Sequence, residues 1–377
     1  MSASVPAGEL PDVVELETGK VAHGGHVVSR WEGRVVFVRH ALPGERVRAR
    51  LTEDKGSYLR GEAVEVLDAS PFRVVAPCPL AGPGLCGGCD FQHVDLAEQR
   101  RLKAAVVREQ LQRLAGLDVD VTCEPVPGDE QGLRWRTRMQ YVDLPGGAHG
   151  LRKHRSHDVV EVEDCLLAAP DARDASGAGT TREEVLGHRF DVAGDGFWQV
   201  HPGAPTVLVQ TVLDQLGPQP GERALDLYAG VGLFSAFLAE AVGDRGSVVA
   251  VESDRVATGH ARQNLSSYPG ASVVRDRVDR WIRRPALRGE PVADVDLVVL
   301  DPPRAGAKRA VVAPVAALTP RAVSYVACDP AALARDVALF AEAGYRLTAL
   351  RCLDLFPMTH HVECVALLTP GADPARR

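Results

Sequence analysis

The sequence predicts an α/β protein: a C-terminal doubly wound, Rossmann-like domain, preceded by a small N-terminal β-barrel and a central α+β segment. Three observations carry that expectation. From about residue 186 onward, apolar strand-like runs alternate with helical ones. Within that region "RALDLYAGVGLFSAFLAEAV" joins a buried strand to a helix through a glycine turn. The N-terminal stretch instead contains β-rich runs with little helical periodicity. At 377 residues the chain is too long for one ordinary core. The expected division is 1–69, 70–185 and 186–377.

Composition narrows the class before any motif does. Hydrophobic residues make up 45% and charged residues 25%, as in soluble globular proteins. No run reaches the roughly eighteen apolar residues of a membrane span. "MSASVPAGELPD" has neither a basic start nor an apolar stretch, so no signal peptide is read and a cytoplasmic location is expected. The net charge of −7 argues against an obligate nucleic-acid binder. Locally the balance reverses: Arg134, Arg136, Arg138, Arg152, Lys153 and Arg155 face only Asp143 and Asp158 between residues 131 and 160. Such a patch suits a phosphate backbone or a solvated basic face equally.

Residues 9–68 read as a five-strand barrel, with breaks at "LPGE" and "EDKGS". Small barrels often bind oligonucleotides, although near-neutral charge fits a structural cap as well. The Gly/Pro/Cys-rich "CPLAGPGLCGGCDFQH" follows, and then a helix over 95–116. Asp95 is its expected N-cap, Glu98 completes a capping box, and Gly116 closes the C-terminus. Leu96, Leu102, Val106, Leu111 and Leu114 form its buried stripe. "DASGAGTTREE" (174–184) reads as a loop or domain joint.

The C-terminal domain holds a cofactor pattern. Gly230 and Gly232 let the backbone turn tightly at the end of the first strand, and Glu252 ends the next strand where an acid usually binds ribose hydroxyls. The third glycine of the dinucleotide fingerprint is missing, so NAD fits poorly. Asp226 adds a second acid, which suits the sulfonium and amine of S-adenosylmethionine. Asp301-Pro302-Pro303 ends the fourth strand, with Arg304 where enzymes methylating exocyclic amines carry an aromatic. That argues for a different target atom.

Cys328 ends a further apolar strand in "YVACDPAALARD", and Glu363 lies in the otherwise apolar "FPMTHHVECVALL". Carbon 5 of uracil attacks a methyl sulfonium only after a thiolate has added to carbon 6, and a base must then remove the carbon-5 proton. A cysteine and a buried carboxylate beside a methyl donor supply those roles. A thiol with pKa about 8.5 needs local activation. Cys328 by itself also fits a buried structural cysteine, as do Cys123, Cys352 and Cys364. Cys78, Cys86 and Cys89 form C-x7-C-x2-C, with Cys165 further on. In a cytosolic chain this reads as a metal site, and spacing leaves structural zinc and [4Fe–4S] equally open.

"DLYAGVGLFS", "LDPPRAG", "YVACDPAALARD" and "LDLFPMTHHVECVALL", in that order, resemble the motifs of the RNA 5-methyluridine methyltransferase family, and "FWQVHPGA" matches a further block. The resemblance implies a class I methyltransferase domain with Cys328 as nucleophile and Glu363 as base, and Gln199, Tyr228, Glu252, Asp276 and Asp301 around cofactor and uracil. "CGGCDFQH" and "GLRKHRSHDVVEVEDC" are similar to the family's iron–sulfur subgroup, which implies a [4Fe–4S] cluster on Cys78, Cys86, Cys89 and Cys165 in a central iron–sulfur domain and a TRAM-like, OB-like RNA-binding barrel. Three positions depart from the pattern: Asp329 for Asn, Met358 for His, and Leu233 where some members are polar. The expected activity is uracil-C5 methylation of structured RNA by a monomer, with large-subunit rRNA the favoured target and tRNA the alternative. The competing classes are an enzyme of cytosine carbon 5 or exocyclic amines, and a non-catalytic iron–sulfur RNA-binding or sensing protein.

Overall fold

The computed structural model describes residues 11–283 and 294–371, so the start of the chain read for a signal peptide lies outside the described residues. In chain order the N-terminal strands are β1 (Val13–Glu17), β2 (Val21–Ala22), β3 (His26–Trp31), β4 (Arg34–Arg39), β5 (Arg46–Asp54) and β6 (Tyr58–Asp68). The middle of the chain holds α1 (Leu96–Ala115), β7 (Cys123–Pro125), β8 (Arg136–Met139), β9 (Val142–Asp143), β10 (His149–Arg152), β11 (Val159–Glu161), β12 (Ala168–Asp174), β13 (Thr180–Val185) and β14 (His188–Ala193). Then α2 (Ala204–Leu216), β15 (Arg223–Leu227), α3 (Leu233–Val242), β16 (Ser247–Glu252), α4 (Arg255–Asn264), β17 (Ala271–Arg275) and α5 (Val278–Trp281) alternate. The last elements are β18 (Leu297–Leu300), α6 (Arg309–Ala317), β19 (Ala322–Ala327), α7 (Pro330–Glu342), β20 (Tyr345–Asp354) and β21 (Glu363–Pro370).

The chain forms two compact units. The first takes the described residues through Leu102, together with Val142–Cys165 and Pro357–His360. Its barrel has the order β1-β5-β6-β4-β3-β2, six strands where five were expected, because the two-residue β2 adds to the edge. Alternation carries it: Val14, Leu16, Val36, Val38, Val47, Ala49 and Leu59 point inward. At the "LPGE" break the buried Glu45 carboxylate accepts the Leu42 and Ser70 N–H groups and two bonds from Arg73. Burial opposes that charge, but Arg73 and the backbone donors hold its pKa below the usual range.

The second unit takes Lys103–Tyr141, Leu166–Phe356 and the chain from His361 on. Its eight-stranded sheet runs β17-β16-β15-β18-β19-β21-β20-β7. The first five strands are parallel, β21 is antiparallel to β19 and β20, and β7 runs parallel to β20. Central strands such as Leu297–Leu300 and Ala322–Ala327 are buried throughout, as helices on both faces of a parallel sheet require. Cys123, Cys352 and Cys364 sit side by side on β7, β20 and β21, all buried, which agrees with their structural reading.

Three local expectations change. Asp95 does cap α1, accepting from Ala97 and Glu98 N–H, but no capping box forms, because Phe72 O takes the Asp95 N–H and Glu98 pairs with Arg101. The expected stripe holds at Leu102, Val106 and Leu111, which are buried, but Leu114 is 40% exposed, and Gln99 (0%), Lys103 (2%) and Val107 are enclosed as well. Residues 180–184, read as part of a loop, are strand β13, paired with β14 along its whole length.

Candidate active site

The five parallel strands end along one edge of the sheet, and the residues expected to be functional follow directly. Tyr228 comes after β15, Glu252 ends β16, Asp276 follows β17, Asp301 follows β18 and Cys328 follows β19. Glu363 begins β21, which runs the other way and so starts at that same edge. Ala327 pairs with Cys364, so the register extended by one residue sets Cys328 opposite Glu363. Strand order reverses between β15 and β18, the switch point where open α/β sheets bind ligands.

The turn after β15 is held in left-handed conformations: Tyr228, Gly230 and Gly232 have φ of 69°, 55° and 89°. Glycine adopts such angles freely. For an aromatic residue they cost on the order of 1–3 kcal/mol and persist only when neighbours enforce them. Here the Tyr228 and Ala229 N–H groups both donate to Val251 O, at 3.0 and 3.1 Å. Glu252 braces the same turn, one oxygen accepting Gly230 N–H at 3.1 Å and the other Ser253 and Asp254 N–H. Asp276 is tied to that strand end by its N–H, which donates to Glu252 O at 3.0 Å. Gln199 lies between the buried Trp198 and Val200, whose carbonyl accepts the Thr137 N–H and hydroxyl.

The electrostatics at this edge are unusual. Asp226 is fully enclosed; Oδ2 accepts from Ser235, while Oδ1 has no hydrogen-bond partner among the described residues. Burial pushes its pKa up to about 6 against those Ser235 hydrogen bonds, and the Glu252 charge adds to the rise. Asp301 keeps some exposed surface, yet desolvation of its carboxyl, with Asp226 nearby, raises it to about 7. Glu363 is raised well above the carboxylate range by burial and by Asp301, and Arg304 acts in the opposite direction. The Cys328 thiol is pushed up to about 11 by burial and then by Glu363, with Arg304 again opposing. These mutual influences bring Cys328, Glu363, Asp301 and Arg304 together, and Asp226 couples to Asp301.

Asp329 has a structural task. Its Oδ1 accepts Ala332 N–H at 2.7 Å and caps α7, a role Asn fills equally well. Its charge does raise the thiol pKa, though by less than Glu363 or Asp301. One further residue organises the edge without having been singled out: buried Asp336 accepts Tyr325 OH and Ala307 N–H at 2.6 Å and Lys308 N–H at 3.1 Å. It thereby ties the loop after Asp301 to the strand and helix that flank Cys328.

Within the first unit, Cys78, Cys86, Cys89 and Cys165 form no disulfide, and Cys78 and Cys165 act on the Cys86 and Cys89 thiols. Burial pushes the Cys86 and Cys89 thiols up, and the neighbouring cysteines add to it. Gly88 N–H donates to Cys86 Sγ at 3.4 Å and Gln92 Nε2 to Cys89 Sγ at 3.1 Å. No group of three or more His, Cys, Asp or Glu among the described residues is arranged to hold a metal ion. The basic stretch divides between the units, and Arg134, Arg138 and Arg152 donate to backbone carbonyls. No described helix is long and apolar enough to cross a membrane.

A sheet whose domain order is 3-2-1-4-5-7-6, with the seventh strand reversed and an acid-lined glycine turn at the switch point, defines a class I methyltransferase domain. Residues 12–64 match the TRAM domain and residues 291–370 the tRNA (Uracil-5-)-methyltransferase family. An uncharacterized RNA methyltransferase of Streptomyces avermitilis is 45% identical, over 95% of this chain and 98% of that protein. The 23S rRNA (uracil(1939)-C(5))-methyltransferase RlmD of Shewanella amazonensis is 30% identical, over 96% of each. The chain belongs to the RNA (uracil-5-)methyltransferase family. Among solved structures, the Pyrococcus abyssi tRNA (uracil-54, C5)-methyltransferase in complex with S-adenosyl-L-homocysteine shares the fold, with a TM-score of 0.70 at 20% identity over 94% of this chain and 100% of that one.

Proposed function

We propose that this protein methylates carbon 5 of a uridine in 23S rRNA, with Cys328 as nucleophile and Glu363 as base. The observation that carries the reading is the pairing of a thiol and a buried carboxylate across β19 and β21 at the edge that holds the glycine turn. Bound S-adenosylmethionine would supply the methyl group on a sulfonium. Asp226, Asp301, Glu252 and Asp276 fit it, because two of these acids are drawn out of water with no cation hydrogen-bonded to them and a cationic ligand relieves that cost.

The target uracil leaves its stack so that its ring face meets Cys328. The Cys328 thiolate adds to carbon 6, and the carbon 5–carbon 6 π pair moves onto carbon 5 and the carbon-4 carbonyl oxygen as an enolate. Carbon 5 then takes the methyl, leaving the electron pair of the broken carbon–sulfur bond on sulfur as a neutral thioether. Glu363, as carboxylate, removes the carbon-5 proton; the freed pair re-forms the double bond and expels the Cys328 thiolate. Arg304 offsets negative charge on both Cys328 and Glu363 during these steps.

The rRNA target is supported by likeness to RlmD along nearly the whole chain. A [4Fe–4S] cluster on Cys78, Cys86, Cys89 and Cys165 is supported by the clustering of four cysteines that form no disulfide, two of them already receiving N–H···S bonds. Residues 70–185 would contact RNA in addition to the TRAM domain, and an RNA substrate agrees with a cytoplasmic location.

The test is direct. Purified protein and methyl-labelled S-adenosylmethionine are incubated with total RNA lacking the modification, and the labelled nucleoside is identified and mapped. The expected product is 5-methyluridine in 23S rRNA. Label in tRNA would move the target, label in cytidine or adenosine would reject the chemistry, and no label would favour a binding protein.

A further inference from the structure

Residues 355–362 connect β20 to Glu363, so the approach of Glu363 to its proton depends on how that connection is held. It is held by polar groups buried on α1. Gln99 and Lys103 are four residues apart and therefore stacked on one helix face, and both are enclosed. Lys103 Nζ donates to Asp354 Oδ1 at 2.6 Å and to Phe356 O at 2.9 Å. Gln99 Oε1 accepts Met358 N–H at 2.9 Å, and its Nε2 donates to Met358 Sδ at 3.2 Å.

A second set of bonds converges on the same residues. The Asp90 and Phe91 N–H groups both donate to Met358 O at 3.0 Å. The Asp90 carboxylate pairs with the His360 ring at 2.6 Å and accepts His360 N–H at 3.2 Å, and Arg39 holds it at 3.2 Å. Met358 is itself in a left-handed conformation, φ 64°, unusual for a long side chain. Its N–H, carbonyl and sulfur are all engaged, which is the over-determination such a conformation needs. Packing alone would have been served by apolar residues at 99 and 103, since burying an amide and an ammonium group carries a desolvation cost.

We propose that Gln99 and Lys103 are positioning residues for proton removal: they fix the connection that aims Glu363 at carbon 5. This rests on the uracil-C5 reading above. It separates the elimination step from adduct formation, because Cys328 is carried by β19 and α7 and not by this connection. Asp90 directly follows Cys89, so the cysteine loop braces the same segment.

The experiment uses the full-length protein and uridine RNA, with S-adenosylmethionine present. Gln99→Met keeps the stem and removes the amide; Lys103→Met combined with Asp354→Asn removes the ion pair without leaving a lone charge. For either, kcat is expected to fall about tenfold to a hundredfold, as for small misplacements of a reacting group. KM for RNA should fall in step with kcat so that kcat/KM changes little, the fraction of enzyme held as covalent RNA adduct should rise several-fold, and 5-fluorouridine RNA should trap the variant at the wild-type rate. Leu111→Ala, in the same helix, should lower Tm without raising the adduct fraction. Wild-type adduct fractions in both variants, or trapping lost in step with turnover, would overturn the proposal. If wild-type protein forms no adduct even with 5-fluorouridine RNA, the uracil-C5 reading itself fails and takes this inference with it.

Discussion

On the barrel, Arg46 lies between Glu15 and Asp68, Arg48 meets Glu65, and Arg34 meets Asp54, all beside solvent. At the edge of the eight-stranded sheet, Asp226, Asp301 and Glu363 are drawn out of water near a thiol, with Arg304 acting against the negative charge of Glu363 and the thiolate. The first arrangement contributes little energy, because water already stabilises each partner. The second raises every pKa in the set, a state that a fold keeps where a ligand or a reaction uses it. Charge by itself marks neither region; charge without water does.

Breaking the sheet-edge set has the largest expected effect. Cys328→Ala should lower turnover by at least roughly a thousandfold and abolish trapping by 5-fluorouridine RNA, since it removes the thiolate that adds to carbon 6. Retained trapping would move the nucleophile elsewhere. Glu363→Gln should cost about a hundredfold to ten-thousandfold, the range for losing a general base, and should accumulate adduct with uridine RNA. An equal loss without adduct would leave Glu363 structural.

The pH dependence of the thiol sharpens the comparison without a mutation. Its pKa is raised to about 11 in the free protein, so the reactive thiolate fraction grows with pH across the neutral range. Alkylation of Cys328 by iodoacetamide should accelerate by about tenfold per pH unit and level off only near pH 11. S-adenosylmethionine, a cation, should shift that curve to lower pH. A plateau at or below pH 8 would mean that the thiol is already activated. On the barrel, Arg48→Ala removes an exposed pair; Tm should shift by no more than about 4 °C and the methylation rate should stay within roughly twofold of wild type.

The sheet edge was legible in sequence because the chain punctuates it: glycines at 230 and 232, prolines at 302, 303 and 330, and apolar runs ending on Glu252, Asp301 and Cys328. Each break is a strand end, and strand ends are where this fold places its chemistry. Gln99 and Lys103 were not legible, since an amphipathic reading sorts residues by polarity and sends both to solvent. Only the bonds to Asp354, Phe356 and Met358, more than 250 residues away, explain their burial. Strand β13 was hidden for a related reason: "TTREEV" has strand alternation but loop composition, and only its pairing with β14 makes it a strand. Met358, which departs from the family pattern, and Asp329 both resolve into structural tasks, one anchoring a connection and the other capping a helix.

The central claim is that Cys328 adds to carbon 6 of the uracil and that Glu363 then removes the carbon-5 proton. Its most direct test is peptide mapping by mass spectrometry of the complex trapped with 5-fluorouridine RNA and S-adenosylmethionine. The account predicts a single modified peptide containing "YVACDPAALAR", with Cys328 carrying a 5-fluorouridine nucleotide that has gained one methyl group. A nucleotide attached elsewhere, or attached to Cys328 without the methyl, would contradict it.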